Sequence, residues 1–482
     1  MTDLRRAQNN TQVMNRDMDQ KVERQEETKT TRSVERLVLV AICLGYFLII
    51  LDSTVVNVAL PNIQQQLGGS VNELQWIVDG YLLVFASVLL TGGALGDRLG
   101  NKRIFLIGLA LFTVASALCG VAPNMWVLQV ARLLQGLGAA FQVPTSLALL
   151  NHSFHDPRER ARAIGVWGGI AGIAACAGPV VGGLLVNTLT WRSAFILNVP
   201  VGILAVLLTV RYVAAVPGLP QRGLDFGAQV TGFVALALLT LAFIQGKAWG
   251  WSSLPILGAL AVFVLSTVIF VLIERRSKSP MLPLELFGSR TFSAANAVGL
   301  LLNFGFYGQL FFMNLFFQNI WGYSALLTGL ALLPQTGSVM VSATLSGRVT
   351  ARTGPRVPMV IGLLAGGCAF LAMMLVNEGT GYLVLCPMLL VSGFGIAFTM
   401  PAMTTAVVAA APRERSGIAS GVLNASRQVG SALGVALLGS LVSQRSTFIP
   451  GMHVALAIAG AAYLVGCMIT LLFVRREATA NL

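Results

Sequence analysis

Charged residues are scarce in this chain. Of its 482 residues, only 11% are Asp, Glu, Lys or Arg, and three are histidines. A soluble protein usually carries about 25% charged residues, so this composition argues against a soluble fold. We find no GxxxxGK[ST] phosphate loop, no HExxH zinc motif and no long polar stretch that would form a soluble domain. The sequence therefore argues against an ATP-driven pump and against a membrane enzyme.

Cysteine is also rare, and all six cysteines lie inside apolar runs, at Cys43, Cys119, Cys176, Cys368, Cys386 and Cys467. A disulfide framework or a zinc site needs suitably spaced cysteines in loops, so we expect neither. We accordingly expect no metal and no cofactor. No short apolar core with a small-residue cleavage site precedes the first long apolar run, so we expect no cleavable signal peptide.

Long apolar runs, by contrast, recur along the chain, which is 55% hydrophobic. Each run is about 20 residues long, enough for a helix to cross about 30 Å of hydrocarbon. The runs lack the two-residue alternation of barrel strands. The sequence therefore predicts an all-α polytopic membrane protein. We expect 14 transmembrane helices, at residues 37–60, 74–96, 104–122, 125–149, 163–187, 194–213, 227–246, 254–274, 292–318, 326–346, 357–377, 382–405, 416–443 and 454–474.

The basic residues indicate the orientation of these spans. If the amino terminus is cytoplasmic, the outer loops contain only three basic residues, Arg192, Lys247 and Arg445. The positive-inside rule then places both termini in the cytoplasm, and we expect a multi-pass protein of the cytoplasmic (inner) membrane. This topology accounts for the net charge of +13, so we expect no nucleic-acid partner.

The chain also contains an internal repeat. Residues 133–144, LLQGLGAAFQVP, are echoed at 390–401 by LVSGFGIAFTMP, and PRER at 157–160 recurs at 412–415. The segment GALGDRLGNKR has a weaker echo in GRVTARTGPR, and all three pairs have an offset of about 255 residues. Parallel duplication of six-helix halves is a known transporter plan. We therefore predict a polar cytoplasmic tail, a six-helix half, an inserted helix pair with linkers, a second six-helix half and a second cytoplasmic tail, at residues 1–36, 37–213, 214–290, 291–474 and 475–482.

Four charged residues lie inside the predicted spans, away from the span ends: Asp52, Asp79, Arg132 and Arg427. Such residues are costly in hydrocarbon and usually mark pathways or proton relays. At about 1.5 Å per helical residue, Asp52, Asp79 and Arg132 lie about 8 to 12 Å from the outer ends of their spans. This matching depth predicts a buried titrating cluster that couples transport to protons. The alternatives are a purely structural pair of Asp52 with Arg132, and a solvated Asp79 close to the surface.

Four blocks of sequence carry a family resemblance. They are LDSTVVNVALP in the first span, GALGDRLGNKR after the second, RLLQGLGAAF in the fourth and ACAGPVVGGLL in the fifth. With these blocks the chain resembles the major facilitator superfamily, specifically its fourteen-span drug:proton antiporter branch, from residue 37 to residue 474. The resemblance implies multidrug efflux and a proton-coupling role for Arg132. The fifth-span block matches the motif that marks antiporters within the superfamily, at Gly178, Pro179, Gly182 and Gly183.

The second block supplies candidates for a conformational gate. Its glycines allow two helices to approach closely, and an acidic side chain at a helix end can pair with a neighbouring helix terminus or with an arginine. A pair of this kind can form in one conformation and break in another. The candidate gate residues are Gly93, Asp97, Arg98, Gly100 and Arg103. The alternative for Arg103 is an ordinary positive-inside charge.

The ninth span suggests where a substrate binds. Asn303, Tyr307, Asn314 and Gln318 follow one another at intervals of four, seven and four residues, which places them on one helical face. Phe311 and its neighbours add aromatic surface, which suits lipophilic and cationic molecules. Arg427 lies near the middle of the thirteenth span and is a further candidate for substrate contact. The alternative is that the phenylalanines face lipid and the amides only pack.

These observations lead to a functional hypothesis. We expect a monomeric, proton-driven antiporter that exports lipophilic or cationic drugs or toxic compounds by rocking alternating access. A narrow exporter of one antibiotic or one lipid-like metabolite is the alternative, which the sequence does not separate from broad efflux. A nutrient symporter is disfavoured by the fifth-span motif. A non-transporting scaffold would not need Asp52 and Arg132 to exchange protons.

Overall fold

The computed structural model describes residues 2–154, 156–215, 218, 226–277, 280, 282, 284–412, 416–442 and 447–475. These residues form sixteen α-helices, a 3-10 turn at Leu284–Gly288 and a π-helical segment, Phe316–Ile320, that continues α10. The α-helices are α1 (Thr2–Leu67), α2 (Val71–Leu99), α3 (Asn101–Gly120), α4 (Met125–Ser153), α5 (Pro157–Thr188), α6 (Arg192–Ile196), α7 (Asn198–Tyr212), α8 (Phe226–Trp249), α9 (Leu254–Arg276), α10 (Arg290–Leu315), α11 (Ala325–Ala331), α12 (Leu333–Thr353), α13 (Arg356–Met373), α14 (Tyr382–Ala409), α15 (Ser416–Leu441) and α16 (Phe448–Phe473).

The predicted all-α membrane architecture is confirmed. Within the described residues, twelve helices are long and apolar enough to cross a membrane, and thirteen if α11 and α12, bent by 46°, count as one span. Helix α15 is 26 residues long but includes the polar stretch NASRQ, and the predicted count of fourteen stays a prediction. Helix α1 already begins at Thr2, so the first span continues the helix of the predicted amino-terminal tail.

Helix ends follow from local sequence chemistry. Ser70 caps α2, accepting from the Glu73 amide, while the Glu73 carboxylate accepts from the Ser70 amide. Gly100 joins α2 directly to α3 with φ +96°, and Gly354 joins α12 to α13 with φ +78°. Only glycine adopts such angles without steric cost, so two spans reverse direction at Gly100 alone and two more at Gly354 and the following Pro355. Gly354 lies 254 residues after Gly100, as the internal repeat predicts.

Helix packing repeats in the two halves. In the first half α1 packs on α5 and α7, and α4 packs on α2 and α3. In the second half α10 packs on α15 and α16, and α14 packs on α12 and α13. These pairs correspond one to one along the chain, so the sequence repeat is a repeat of structure. It is the arrangement of a two-half transporter.

The inserted pair, α8 and α9, lies on one side of the molecule. The two helices pack on each other, and α8 also contacts α2 and α15. Gln229 donates to the Ser87 carbonyl at 2.7 Å, and Asn72 donates to Gln245 at 3.4 Å, so α8 is bonded to α2 near both of its ends. The inserted pair therefore covers the seam where α2 of the first half meets α15 of the second.

The two ends of the molecule differ. We call the end with Arg98, Lys102 and Arg103 the basic end, and the end with the loops 68–70, 121–124 and 321–324 the opposite end. Toward the opposite end the halves are joined, because Gln75 donates to the Val435 and Ala436 carbonyls at 2.9 and 3.0 Å. Gln318 likewise donates to the Val58 carbonyl at 2.9 Å.

Toward the basic end the halves separate on the side of α5 and α12. A side-chain carbon added at any of four glycines in this part of α5 would meet open space, at Gly165, Gly168, Gly169 and Gly172. On the other side, α2 stays close to α15 as far as Leu90, which lies beside Gly421. The halves therefore enclose a cleft, which we call the central cleft. It is closed at the opposite end and open toward the basic end.

Candidate functional site

An ion pair lies inside the first half. Arg132 of α4 donates through Nη1 to Oδ2 of Asp52 on α1 at 2.5 Å, and both side chains are about 1% exposed or less. The sequence predicts this pairing from the matching depth of the two residues. An arginine and a carboxylate buried together neutralise each other, whereas either one alone would be strongly destabilising.

Two uncharged side chains complete the bonding of Asp52, and a third connects them. Gln135 of α4 and Asn198 of α7 both donate to Asp52 Oδ1, at 2.8 and 2.9 Å. Both amides also donate to the Ser116 hydroxyl on α3, at 2.7 and 3.1 Å. All three are buried. Asp52 is therefore held directly by side chains from two helices besides its own, α4 and α7, and through their amides it is linked to α3; a relative movement of α1, α4 and α7 changes its hydrogen bonding directly.

Arg132 has further partners of its own. Its Nη1 donates to Gln135 Oε1 at 2.7 Å, and its Nε donates to the Ile77 carbonyl of α2 at 2.9 Å. The guanidinium carbon lies 4.2 Å from the ring centroid of Tyr81, a cation–π contact. While the network is intact, donors occupy both carboxylate oxygens of Asp52. If the helices separate, these donors move away and the carboxylate oxygens become free to accept a proton.

Asn198 offers a test of this network. We expect Asn198→Ala to lower the stability of the protein by about 1–3 kcal/mol, because it removes a hydrogen bond to a buried charge. Thermal melting of the purified protein in detergent measures the effect. Asn151→Ala, at an exposed asparagine on α4, is the matched control and should change stability by less than about 0.5 kcal/mol. Equal melting of the two variants would contradict the structural role of Asn198.

Asp79 is buried but does not join this network. It lies on α2 one turn after Gln75, the residue that bonds to α15, and so faces the α2–α15 seam. Its side chain is fully buried, and neither carboxylate oxygen has a hydrogen-bond partner in the part of the chain that the structure describes. The alternative of a solvated Asp79 does not fit this burial. Its part in proton coupling stays a prediction.

The antiporter motif of α5 contacts both halves. A side chain at Gly178 would collide with Thr54 of α1, and one at Gly182 would lie 3.1 Å from Val55 of the same helix. A side chain at Gly183 would instead lie 2.5 Å from the Ala325 carbonyl of α11, in the second half. The Pro179 carbonyl lies close to Gly329, also on α11. The motif thus connects the helix of Asp52 to the joint between the halves.

The candidate gate residues lie at the basic end of the first half. Gly93 faces Pro144 of α4, and its neighbours Gly92 and Gly96 also pack closely on α4. Gly100 forms the α2–α3 turn described above, Asp97 is half-buried, and Arg98 and Arg103 are exposed. The glycines are therefore packing residues within one half. A gating role for Asp97, Arg98 and Arg103 stays a prediction.

Aromatic and cationic groups line the central cleft. Tyr46 of α1 stacks on Trp167 of α5, with ring centroids 3.9 Å apart and planes 10° from parallel. Across the cleft, Arg427 of α15 is close enough to the phenols of Tyr46 and Tyr307 to interact electrostatically with both. Tyr46, Trp167, Tyr307 and Arg427 are only partly buried, as side chains that line an open space should be. The sequence singles out Tyr307 and Arg427 but misses the Tyr46–Trp167 stack.

The other predicted substrate residues do not gather at this place. Asn303 is buried and donates to Ser431 of α15 at 3.2 Å. Phe311 and Asn314 are fully buried within the second half, and Asn314 donates to a carbonyl of its own helix. Gln318 bonds to α1 where the halves meet. Four residues that share a helical face therefore have three different surroundings.

The second half contains an uncharged counterpart of the Asp52 network. Gln335 of α12 donates to Gln309 of α10 at 2.7 Å and to Ser392 of α14 at 3.1 Å, all three buried. Gln309 lies 257 residues after Asp52, and Ser392 lies 257 residues after Gln135, the offset of the repeated LLQGLGAAFQVP block. These residues were not predicted from the sequence, although the repeat offset could have identified them.

Two similar six-helix halves, a charged pair buried in one of them and a cleft between them define a secondary transporter. The chain belongs to the Major Facilitator Superfamily, whose family model matches residues 42–435. It is a multi-pass membrane transporter and not an enzyme.

Several relatives are similar over most of their length. The chain is 38% identical over 447 residues to the Methylenomycin A resistance protein of Bacillus subtilis (strain 168), which covers 92% of this chain and 96% of the relative. It is 40% identical over 407 residues to the multidrug resistance protein Stp of Mycobacterium tuberculosis (strain CDC 1551 / Oshkosh), covering 84% and 76%. A crystal structure of a POT family transporter has the same fold, with a TM-score of 0.69, 15% identity and coverage of 92% and 96%.

Proposed function

We propose that this protein is a proton-coupled antiporter that exports lipophilic small molecules across the cytoplasmic membrane. The names of its relatives, resistance and efflux proteins, support the export of drugs. The buried Asp52–Arg132 pair supports proton coupling, because its bonds depend on the relative positions of several helices. Both termini are cytoplasmic, the protein acts as a monomer, and the proton gradient replaces any cofactor as the source of energy.

The coupling step follows from the geometry around Asp52. In the described conformation the carboxylate accepts three hydrogen bonds. Opening at the opposite end moves α1 and α5 relative to α11, and the α5 motif transmits this movement to Asp52. A proton from outside the cell then binds to the Asp52 carboxylate. Closing restores the bonds of Asp52 to Arg132, Gln135 and Asn198, and the proton leaves to the cytoplasm.

The test uses inside-out membrane vesicles that contain the protein. Their lumen is acidified, a lipophilic dye is added, and proton movement out of the lumen is recorded with a pH-sensitive fluorophore. We expect the dye to trigger proton efflux, and we expect none in vesicles without the protein. A panel of dyes and antibiotics that triggers no efflux would contradict proton-coupled drug export. A response to one antibiotic alone would favour the narrow exporter.

A further inference from the structure

The two arginines inside the membrane-spanning helices have different surroundings. Arg132 is neutralised by Asp52 and fully hydrogen-bonded. Arg427 has only two distant contacts, from Nη1 to Asn424 Oδ1 at 3.4 Å and from Nη2 to Met400 Sδ at 3.6 Å. Its Nε has no hydrogen-bond partner, and no ion pair joins it to a carboxylate in the part of the chain that the structure describes. Arg427 is thus a cation without a counterion.

The packing of α15 on α10 holds Arg427 in the cleft. Ser426 donates to Asn296 at 3.3 Å, and Asn303 donates to Ser431 at 3.2 Å, so α10 bonds α15 on both sides of Arg427. Gly299 of α10 lies under the arginine, and a side-chain carbon there would approach Arg427 Cγ to 3.3 Å. The aliphatic part of Arg427 therefore rests on α10, and its guanidinium is held at the cleft rather than free to move to the membrane surface.

Among the described residues, no acidic side chain forms an ion pair with Arg427. Asp52 is occupied by Arg132, and Asp79 is enclosed in the α2–α15 seam. Glu274 lies on α9, outside the two halves, where it accepts from the Leu282 amide. Asp97 lies at the basic end of α2. The electrostatic potential in the central cleft is consequently positive, which attracts anions and repels cations.

The aromatic wall opposite Arg427 adds a second requirement. The stacked rings of Tyr46 and Trp167 present a flat surface, which favours a flat ligand. Trp167 Nε1, like Arg427 Nε, has no hydrogen-bond partner among the described residues. Both groups are donors, and a buried donor without a partner is unfavourable.

We propose that the preferred substrate is a flat aromatic or conjugated molecule with a carboxylate or similar acidic group, and that Arg427 binds this group. The inference rests on the proposed function of small-molecule export, and it replaces the cationic substrate expected from the sequence. A guanidinium binds a carboxylate through two parallel hydrogen bonds, which gives both charge and geometry. The rings of Tyr46 and Trp167 hold the conjugated part.

The charge of the substrate also determines how the membrane potential acts. When one anion leaves the cell and one proton enters, the net effect is the inward transfer of two positive charges. The membrane potential, negative inside, therefore drives the cycle. Export of one monovalent cation for one proton moves no net charge. The negative interior of a cell therefore favours the release of an acidic substrate to the outside.

Binding of matched probes to the purified full-length protein in detergent tests the proposal. The probes are 1-pyrenebutyrate, 1-pyrenebutanol and 1-pyrenemethylamine, which share one flat ring system and differ in charge. Fluorescence anisotropy at neutral pH measures each Kd. We expect the acid to bind at least tenfold more tightly than the alcohol, and the amine most weakly. Arg427→Gln should reduce the preference for the acid to less than twofold while the affinity for the alcohol changes less than threefold.

Arg276→Gln is the matched control, because it removes one positive charge at an exposed position on α9 and should leave the preference intact. The proposal would be overturned by any of four results. These are equal affinities for the three probes, tighter binding of the amine, no binding of any probe by folded protein, and an unchanged preference for the acid in Arg427→Gln. If Arg427→Gln does not fold, the comparison of the three probes on the unaltered protein still tests the preference for an acidic substrate. No proton gradient is present, so a failure of proton coupling does not affect this result.

Discussion

Asp52→Asn is expected to abolish substrate-triggered proton movement while leaving substrate binding within about threefold of the original protein. Asparagine has nearly the shape of aspartate and can still accept a hydrogen bond from Arg132, but it cannot bind or release a proton. The three donors to Asp52 all lie in the first half, so we expect the substitution to leave Arg427 and the aromatic stack in place. Proton efflux from acid-loaded inside-out vesicles and equilibrium binding of the same dye measure the two quantities.

The control for Asp52→Asn is Glu378→Gln, which removes one carboxylate from an exposed loop and should retain full proton movement. If Asp52→Asn moves protons as well as the original protein, Asp52 is structural and Asp79 becomes the next candidate. Asp52→Leu measures the structural contribution of Asp52 separately from its proton binding, because it leaves Arg132 buried without a carboxylate partner. We expect this second variant to be destabilised by about 3–5 kcal/mol.

Gly183→Val is expected to reduce transport at least tenfold by preventing closure at the opposite end. The added side chain would press on the Ala325 carbonyl and on the Leu326 backbone, 2.5 and 2.8 Å from its first carbon. Overpacking of this kind costs about 1–3 kcal/mol. Because the contact joins the two halves, the cost falls on the closed conformation, whose population decreases accordingly. The fold of each half should be unaffected.

Spin labels can detect this change. Leu189, at the end of α5, and Leu375, after α13, are exposed at the opposite end, and cysteines there carry the labels after the native cysteines are replaced. We expect longer label distances in Gly183→Val than in the original protein. Gly168→Val is the matched control on the same helix, where a side chain meets open space and should leave the distances unchanged. Identical distances in all three proteins would contradict a closing role for Gly183.

The sequence predicts much of the fold because membrane helices leave direct traces in composition. Long apolar runs, the distribution of arginines and the repeated blocks were enough to predict two helical halves with an inserted pair. The weakest point is α15, whose polar residues face α10 and the cleft. Such a helix is stabilised by packing rather than by hydrophobicity, so hydropathy alone does not decide whether it is a span.

The candidate site was predicted in part because depth along a helix is easier to derive than direction around it. Depth alone paired Asp52 with Arg132 correctly. It also grouped Asp79 with them, although Asp79 lies two residues, about 200° of helical rotation, from Ile77 and Tyr81, which contact Arg132. Gln135 and Asn198 were missed because an uncharged amide in a glycine-rich segment gives no signal of its own until its neighbours in space are known.

The first half contains a charged network and the second half contains a glutamine network at the equivalent place, so the two halves are expected to have different functions. Asp52 and Arg132 have no charged equivalents at Gln309 and Leu389, so we expect proton coupling to depend on the first half. Arg427 lies in the second half, where we propose that the substrate's acidic group binds. Substitutions around Arg427 can therefore alter the range of exported compounds without disturbing energy supply, and changes in drug resistance should accumulate preferentially on α10 and α15.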